Sequence, residues 1–337
     1  MSDADSTFKR LIATVADGKR LSESEAVEAF NIMMSGEATP SQIAGFLIAL
    51  RIRGETVEEI TGAARIMREK ALKVSAPDDA IDVVGTGGDG AGTLNISTAT
   101  AIVVAGCGVP VAKHGNRAAS SKSGAADVLS ELGINLDADV PTVERAIREA
   151  GIGFLLAPAY HSSMRHVGPA RVEMGVRTIF NILGPLANPA SVKRLLIGTF
   201  AREWVEPMAQ VLGNLGTERA WVVHGADGLD ELTITGPSYV AELEDGKVTT
   251  RELFPSDAGL PTASLDDIKG GTPAENAQAI RDLLNGQKGA YRDIALYGAS
   301  AALLIAGKVE SLTDGVAVAA AAIDDGKAAT ALAKLVE

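Results

Sequence analysis

The chain has 337 residues, 46% of them hydrophobic, and its formal net charge at pH 7 is −12. This length is ample for a large hydrophobic core and favours more than one domain, whereas the acidic balance argues against general binding to nucleic acid or to anionic membranes. The single cysteine, Cys107, excludes an internal disulfide, no apolar run is long enough to span a membrane, and residues 1–10 do not resemble a signal peptide. We therefore expect a cytoplasmic protein without a nucleic-acid or membrane partner.

The first seventy residues carry clear signals for the starts and ends of helices. Ser22, Thr39 and Thr56 are each followed three residues later by Glu or Gln, which is the pattern of a capping box. Gly36 and Gly54 stand where helix C-caps are expected. These signals predict a domain of four short helices over residues 1–73, too small to bury much surface alone, followed by a linker up to residue 80.

From residue 80 onwards, short β-rich runs alternate with helical segments. This alternation predicts an α/β layer with a largely parallel sheet, followed by an antiparallel addition around a tight turn at Asp245-Gly246. The predicted strands are 81–84, 109–112, 153–156, 195–199, 220–224, 231–235, 238–244 and 247–252. The predicted helices include 142–150, 204–215 and 272–285, and the Ala-rich C-terminal region predicts two packed helices, 294–306 and 316–336.

Polar segments follow the first two predicted strands. Residues 85–90 form a glycine cluster, which lets the backbone bend around an anion. Hydroxyl side chains at 93–98 lie at the start of the next predicted helix, where N–H groups favour phosphate, and residues 113–123 add lysine and arginine. Since the carboxyl ends of neighbouring parallel strands meet at one sheet edge, these segments predict a site for a ligand with more than one phosphate.

The glycine cluster also fits the G-x-G-x-x-G pattern of a dinucleotide site. Such a site needs an acidic residue at the end of its second strand, whereas Lys113 and His114 follow the second predicted strand here. A cation at that position opposes NAD but leaves NADP open.

An acidic turn at 227–231 follows the predicted strand 220–224 and contains Asp230 and Glu231. One or two carboxylates, together with phosphate oxygens and waters, are the usual ligands of Mg²⁺. A solvated acidic turn is the alternative, and the nearby phosphate-type segments favour the metal.

Three arginines, Arg165, Arg171 and Arg177, recur every six residues. The planar guanidinium suits a substrate carboxylate. Ordinary surface arginines are the alternative.

Five segments together resemble, in order, the motifs of the anthranilate phosphoribosyltransferase family, and the match spans almost the whole chain. The segments are 85–89, 95–98, 113–121, 177–186 and 224–231. The resemblance implies that the phosphoribosyl group of phosphoribosyl pyrophosphate is transferred to the amine of anthranilate, with release of pyrophosphate, in tryptophan biosynthesis. It also implies Mg²⁺ as cofactor and a homodimer formed through the helical domain.

The resemblance also implies the fold class, which is α/β. An N-terminal helical domain would precede a larger α/β domain with a mostly parallel central sheet flanked by helices, as in nucleoside phosphorylases and phosphoribosyltransferases. The helical domain would comprise residues 1–73 and a returning segment near 171–190. The α/β domain, which binds phosphoribosyl pyrophosphate, would comprise residues 80–170 and 195–337, with the site in the cleft between the two.

Roles for individual residues follow from the same resemblance. For phosphoribosyl pyrophosphate it implies Gly85, Gly88, Asp89, Thr93, Asn95, Ile96, Ser97, Thr98, Lys113, His114, Gly115, Asn116, Arg117, Ala118, Ala119, Ser120, Ser121 and Ala125. For anthranilate it implies Gly85, Asn116 and Arg171, and for Mg²⁺ it implies Ser97, Asp230 and Glu231. We predict no side chain acting as acid or base, because the aromatic amine is already neutral at pH 7.

Two positions depart from the family pattern, and two alternative functions are compatible with parts of the sequence. Ala125 stands where many relatives have a serine, so that contact is expected to be missing, and Tyr297-Gly298 stands where Leu-Asn is expected, which concerns stability more than chemistry. A nucleoside phosphorylase is disfavoured by Asp230 and Glu231, because phosphorolysis needs no Mg²⁺–pyrophosphate. A nucleic-acid-binding relative that uses residues 113–122 is disfavoured by the acidic balance.

Overall fold

The structure is a computed structural model that describes residues 3–118 and 122–337. The predicted site residues Ala119, Ser120 and Ser121 lie outside the described residues. Within those two ranges, no helix combines the length and the apolar character needed to cross a bilayer.

The N-terminal part of the chain is helical. Its helices are α1 (Asp3–Ala16), α2 (Glu23–Met34), α3 (Pro40–Arg53) and α4 (Val57–Lys70). Helices α2, α3 and α4 begin at the predicted capping boxes, whose N-cap residues are Ser22, Thr39 and Thr56. These boxes form because each pair of side chains bonds backbone N–H groups that the first helical turn leaves without partners.

Aromatic rings join these helices to a later part of the chain. The ring centroid of Phe46 lies 5.4 Å from that of Phe8 and 6.0 Å from that of Phe30. Phe30 in turn lies 5.8 Å from Phe180. The helical core therefore includes a segment that follows the first half of the sheet.

Within the described residues, the strands form one sheet in the order β3-β2-β1-β4-β5-β6-β7. They are β1 (Ile81–Gly85), β2 (Val111–Gly115), β3 (Ile152–Leu156), β4 (Arg194–Gly198), β5 (Arg219–Gly225), β6 (Ser238–Glu244) and β7 (Lys247–Leu253). Neighbours among β1–β5 are parallel, and β6 and β7 are added antiparallel. The prediction of a mostly parallel α/β sheet with an antiparallel addition is confirmed.

The other helices connect the strands or follow them. They are α5 (Ile96–Gly106), α6 (Ala125–Glu131), α7 (Val140–Glu149), α8 (Ala157–Tyr160), α9 (Gly168–Met174), α10 (Phe180–Leu186), α11 (Val205–Asn214), α12 (Pro273–Leu284), α13 (Ala290–Ile305), α14 (Leu312–Asp324) and α15 (Lys327–Val336).

The two faces of the sheet belong to different hydrophobic clusters. On one face, Val83 and Val111 pack with α5, α13 and α15. On the other face, Val84, Ala112 and Leu195 share a core with α11 and with the N-terminal helices. Helices α9 and α10 contact α3 and α4, respectively. The N-terminal helices therefore reach the sheet through α11, which contacts α4, β5 and β6, and they pack on the 168–186 segment.

The second strand begins two residues later than predicted. The N–H of Val109 is already bonded to the carbonyl of Val104 at the end of α5, and Pro110 has no N–H. Pairing with β3 therefore starts at Val111. As a consequence, Lys113 and His114 lie inside β2 and not after it.

Two other element predictions are wrong. Residues 231–235 form a loop, because the Asp227 carboxylate accepts hydrogen bonds from the hydroxyls of Thr233 and Thr235, both at 2.6 Å, and curls the segment. The C-terminal region forms three helices, because Gly326 takes a positive φ of 74° between α14 and α15.

The departure at Tyr297-Gly298 lies in the contact between α13 and α5. Tyr297 is buried, and its hydroxyl donates to the carbonyl of Phe254 at 3.1 Å. A Cβ on Gly298 would lie 2.9 Å from Oγ1 of Thr100 in α5. The glycine therefore permits a close approach of α13 to the helix that follows the glycine cluster.

Candidate active site

The site lies at the sheet edge where β1, β2, β4 and β5 end, because parallel strands present their carboxyl ends together. Gly85 and Gly198, the last residues of β1 and β4, are register partners. Asp230, in the loop after β5, lies over this pair. A Cβ on Gly85 would overlap the Asp230 carboxylate, and one on Gly198 would overlap its main-chain carbonyl. The glycines thus make room for Asp230, which accepts a hydrogen bond from the N–H of Gly87 at 2.6 Å.

Asp230, Glu231 and Asp89 concentrate negative charge beside residues 85–92, the glycine loop. Burial, reinforced by the charge of Asp89, raises the pKa of Asp230 to about 7. Burial, reinforced by the charge of Asp230, raises the pKa of Glu231 well above its ordinary value. Lys113 is the cation that opposes these charges, although burial lowers its own pKa. When the carboxyls ionise, the site carries an excess of negative charge that a divalent cation would relieve.

The donor set suits Mg²⁺ more than a metal that needs a complete protein cage. Among the described residues, no three His, Cys, Asp or Glu side chains are grouped so that they could hold an ion unaided. Mg²⁺ is usually held by one or two carboxylates together with phosphate oxygens and waters. Asp230 and Glu231 beside a phosphate-type loop fit that arrangement.

Lys113 is only 2% exposed. Its Nζ donates to the carbonyl of Val83 at 2.7 Å and to Oγ of Ser97 at 3.4 Å. The main chain of Ser97 also hydrogen-bonds to Glu231. The structure therefore brings Lys113 together with two predicted metal ligands. The residue that follows β2 is Asn116, so an acidic group is absent from the position that a dinucleotide ribose requires.

The start of α5 combines restrained and unpaired polar groups. Asn95 is its N-cap residue, and Thr93 just before it forms a β-bridge with Lys269. The Ile96 side chain is buried in the core, so only its main chain is available to a ligand. Thr98 is also buried, and its Oγ1 has no hydrogen-bond partner among the described residues. A buried hydroxyl without a partner is costly and fits a site that a ligand completes.

The glycine loop is itself held by short contacts. Oδ1 of Asp89 accepts from the N–H of Ala91 at 3.1 Å, and the N–H of Thr86 donates to the carbonyl of Gly198 at 2.9 Å. Gly88 adopts a positive φ of 77°, which a residue with a side chain rarely takes.

Asp127, which sequence reasoning missed, anchors the described residues of the segment after β2, which are 116–118 and 122–124. Oδ2 of Asp127 accepts from the N–H groups of Ala118 and Gly124 at 2.9 and 3.0 Å, and its Oδ1 lies 3.3 Å from the guanidinium of Arg117. Asn116 is exposed, and its Oδ1 accepts from the N–H of Arg117 at 2.8 Å. The pattern Gly-x-x-Asp before a short helix is the signal that would have identified Asp127.

His114 is held as a neutral imidazole. Burial, with His161 whose ring centroid lies 5.2 Å away, lowers its pKa to about 3. Its Nδ1 lies 3.2 Å from the carbonyl of Gly184 and carries the proton, because a carbonyl can only accept. His114 therefore joins β2 to α10 and is unsuited to carry charge at neutral pH.

Gly115 and Ala125 lie close together. A Cβ on Gly115 would meet the ring of Phe154 at 2.8 Å and Cβ of Ala125 at 3.3 Å. Ala125 begins α6 and has no hydroxyl to offer a ligand. This geometry agrees with the expected loss of the serine contact.

Arg171 lies on α9, half-buried, with its guanidinium 5.1 Å from the ring centroid of Phe180. Burial lowers its pKa. Within residues 3–118 and 122–337, no carboxylate lies within 4 Å of it, whereas fourteen other ion pairs are formed. A desolvated arginine without a carboxylate is available to an anionic ligand.

Arg177 makes a connection that the sequence analysis did not foresee. Its guanidinium donates to the carbonyl of Gly88 in the glycine loop and lies 4.4 Å from the ring centroid of Phe200. Its own carbonyl accepts from Arg51 of α3 at 2.8 Å. Arg177 therefore links the N-terminal helices to the glycine loop.

Comparison with known proteins agrees with this geometry. Residues 9–71 match the family model described as "Glycosyl transferase family, helical bundle domain", and residues 77–329 match "Glycosyl transferase family, a/b domain". The chain is 62% identical to anthranilate phosphoribosyltransferase from Rhodospirillum rubrum, over 98% of this chain and 95% of that protein. It is 60% identical to the one from Parvibaculum lavamentivorans, over 98% and 96%.

Solved structures give the same result. The crystal structure of anthranilate phosphoribosyltransferase from Thermus thermophilus superposes with a TM-score of 0.92 at 46% identity, over 97% of this chain and 98% of that one. The Saccharomyces cerevisiae enzyme, in complex with PRPP and Mg, superposes with a TM-score of 0.89 at 29% identity, over 99% and 98%. With two matching family models and relatives near 60% identity over nearly their full length, the chain belongs to the anthranilate phosphoribosyltransferase family.

Proposed function

We propose that this chain transfers the phosphoribosyl group of phosphoribosyl pyrophosphate, the donor, to the amine of anthranilate, the acceptor, and releases pyrophosphate. The observation that carries the proposal is the buried carboxyl of Asp230, held against the glycine loop beside the half-buried Glu231, where Mg²⁺ and phosphate would complete the site. Family membership supports the choice of this reaction over others that break the bond at the anomeric carbon.

We assign the donor to the glycine loop, the start of α5 and the segment after β2. The Thr98 hydroxyl, buried in the first turn of α5 without a partner among the described residues, would be satisfied by a phosphate or ribose oxygen. The ammonium group of Lys113, which donates to Oγ of Ser97, supplies positive charge next to that residue. Ala125 contributes no hydroxyl.

Ser97, Asp230 and Glu231 would hold Mg²⁺, which when bound stabilises the negative charge of the departing pyrophosphate. The yeast relative solved with PRPP and Mg supports the use of Mg²⁺. The N–H of Gly87 holds the Asp230 carboxylate, and the charge of Lys113 favours the ionised form of Glu231.

We assign the acceptor carboxylate to Arg171, with Asn116 and Gly85 beside the ring. The amine is neutral at pH 7 and needs no base, so the contribution of the protein is to hold both substrates in register. Electrostatic stabilisation of the leaving group supplies the rest.

We also propose a division into two domains, with the cleft between them as the site. Residues up to 73 and the returning segment 171–190 form the helical domain, and residues 80–170 and 195–337 form the α/β domain. The contacts of α9 with α3 and of α10 with α4 support this division. A homodimer formed through the helical domain and a cytoplasmic location stay predictions.

A direct assay tests the function. The purified chain is mixed with anthranilate, phosphoribosyl pyrophosphate and Mg²⁺, and the loss of anthranilate fluorescence is followed together with the release of pyrophosphate. We expect both signals, and we expect both to stop when Mg²⁺ is chelated. Phosphate-dependent cleavage of nucleosides without anthranilate consumption would favour a nucleoside phosphorylase instead.

A further inference from the structure

Asn276 lies in the first turn of α12, outside every motif discussed above, and is 1% exposed. Its Oδ1 accepts from the N–H of Gly271 at 2.8 Å, and its Nδ2 donates to Oδ1 of Asn95 at 2.8 Å. A buried amide in the first turn of α12 thus bonds two other segments, one through its oxygen and one through its nitrogen.

Asn95 in turn hydrogen-bonds to the segment after β2. Its Oδ1 also accepts from the hydroxyl of Ser123 at 3.1 Å, and its Nδ2 donates to the carbonyl of Ser123 at 3.3 Å. Its own main-chain carbonyl accepts from the hydroxyl of Tyr291 at 3.1 Å. Asn95 therefore sits where α5, α12, α13 and the segment after β2 meet.

Gly271, Asn276, Asn95 and Ser123 form a series of hydrogen bonds. The main-chain groups at its two ends, Gly271 and Ser123, fix the direction of each bond. The main-chain N–H of Gly271 can only donate, so Asn276 must turn its Oδ1 towards Gly271 and its Nδ2 towards Asn95. The carbonyl of Ser123 can only accept, so Asn95 must turn its Nδ2 towards Ser123 and its Oδ1 towards Asn276. Reversing either amide would place two donors or two acceptors together.

The segment that contains Gly271 is also hydrogen-bonded to the glycine loop and to the residues that follow it. The N–H of Gly270 donates to the carbonyl of Gly92 at 2.9 Å, and the N–H of Leu94 donates to the carbonyl of Ile268 at 2.9 Å. The Asn276 side chain bonds Gly271 and Asn95 directly. Through Gly271 it is connected to the end of the glycine loop, and through Asn95 to the N-cap of α5 and the segment after β2.

We propose that Asn276 is a positioning residue for the phosphoribosyl pyrophosphate site, acting through Asn95. It sets the orientation of the Asn95 amide and the spacing of the two segments that receive the donor, without contacting the donor itself. This inference rests on the proposed function, because Asn95 is assigned there to the donor.

The first test is the replacement Asn276→Asp, which is nearly the same size. It keeps the acceptor for Gly271 but puts a second acceptor against Oδ1 of Asn95. We expect the donor KM and the donor Kd from calorimetry to rise by about tenfold, the size of effect that one mismatched buried hydrogen bond produces. The anthranilate KM at saturating donor should stay within about twofold, and so should kcat. Asn285→Asp, at the exposed end of the same helix, is the matched control and should change none of these values.

The second test separates positioning from general loss of stability. Asn276→Ala and Asn95→Ala are combined in a double-mutant cycle on donor Kd, with thermal unfolding of each variant. If Asn276 acts through Asn95, the double variant should bind the donor about as weakly as Asn95→Ala alone, because coupled residues are not additive. Additive effects, or an unchanged donor Kd in a folded Asn276→Ala variant, would overturn the proposal. A wild-type chain that does not bind the donor at all would instead overturn the proposed function.

Discussion

Asp230 lies in an environment that is unusual for an aspartate. It is buried over two strand-end glycines, it accepts a backbone N–H, and a second carboxylate, Asp89, faces it. Burial is the largest cause of its raised pKa. A carboxyl with a raised pKa releases its proton when a metal cation binds to it. Metal binding and proton release at Asp230 should therefore be linked.

This environment predicts how the stability of the free protein depends on pH. The pKa of Asp230 is raised to about 7 in the folded chain and is about 4 when unfolded. Between these values the folded state binds more protons than the unfolded state, so the Asp230 contribution makes the free energy of unfolding fall as pH rises. Asp230→Asn should flatten this part of the profile in denaturant titrations made from about pH 4 to pH 7. Parallel profiles for wild type and variant would contradict the assignment.

The stabilisation that Mg²⁺ provides should increase as pH rises, whereas the Asp230 contribution to the stability of the metal-free protein falls. Because a proton and Mg²⁺ compete for the same carboxylates, Mg²⁺ should raise the melting temperature more at about pH 8 than at about pH 6. Replacing both Asp230 and Glu231 with the corresponding amides should remove this difference and lower kcat. Unchanged metal titrations in the double variant would exclude these residues as ligands.

Arg171 provides the corresponding prediction for the acceptor. Arg171→Ala removes a charge-assisted hydrogen bond, which should cost about 1.5–3 kcal/mol, or roughly ten- to hundredfold in the KM for anthranilate. The donor Kd should change little. Arg165→Ala, an exposed arginine six residues earlier, is the control and should leave both values unaltered. Equal effects of the two substitutions would show that Arg171 is not specific for the acceptor.

At the level of elements, the ends of β1 and β4 determine how closely the Asp230 loop can approach. Gly198 is not among the glycines with positive φ, so its requirement is steric and does not arise from backbone strain. Its partner across the sheet, Gly85, has the same role for the carboxylate.

Gly198→Ala should therefore displace Asp230, because the new Cβ would overlap its main-chain carbonyl. We expect Mg²⁺-dependent activity to fall by at least about tenfold, the effect of losing one well-placed electrostatic group. Gly45→Ala is the matched control, since it lies exposed in α3 with no atom within 4 Å of the added methyl. That control should leave activity intact and add up to about 1 kcal/mol of stability. Full activity in Gly198→Ala would show that the loop relaxes without consequence.

Elements whose ends depend on neighbours in sequence were predicted well from the sequence. The helix starts at Ser22, Thr39 and Thr56 are examples, because a capping box is complete within four residues. The start of β2 was not predicted, since it depends on which partner the N–H of Val109 finds in α5. Residues 231–235 were mistaken for a strand because the hydroxyls that bind Asp227 are also typical of β-structure.

The same distinction holds within the candidate site. Residues in recognisable motifs, such as those of the glycine loop and Asp230, were identified in advance. Asn276 was not, and neither was the contact of Arg177 with Gly88, because both join segments far apart in sequence: Asn276 lies 181 positions from Asn95, and Arg177 lies 89 positions from Gly88. No local pattern marks such residues, and the fold is needed to bring them together.

At the scale of the whole molecule, the helical part and the α/β part share one continuous core. Val84 and Leu195 of the sheet belong to the same cluster as Phe30 and Phe46 of the N-terminal helices. The Arg51–Arg177–Gly88 connection runs along the surface of this core. The proposed acceptor residue Arg171 and the proposed donor loop are therefore both connected to α3, Arg171 through the contact of α9 with α3 and the loop through Arg177.

The outer surface of the helical part predicts the dimer. Ile52 at the end of α3 is 82% exposed and Val172 on α9 is 81% exposed, on two helices that contact each other. Exposed apolar side chains on packed helices are a feature of interaction surfaces. We expect wild type to sediment with the mass of two chains. The double variant Ile52→Glu, Val172→Glu should sediment as one chain, because two copies of the patch would bury unpaired charges.

Val318→Glu, at an exposed apolar position on α14, is the control and should leave the dimer intact. Donor binding should survive in the monomer, since every proposed donor residue comes from one chain. A monomeric wild type, or a dimer that tolerates both glutamates, would place the subunit contact elsewhere or remove it.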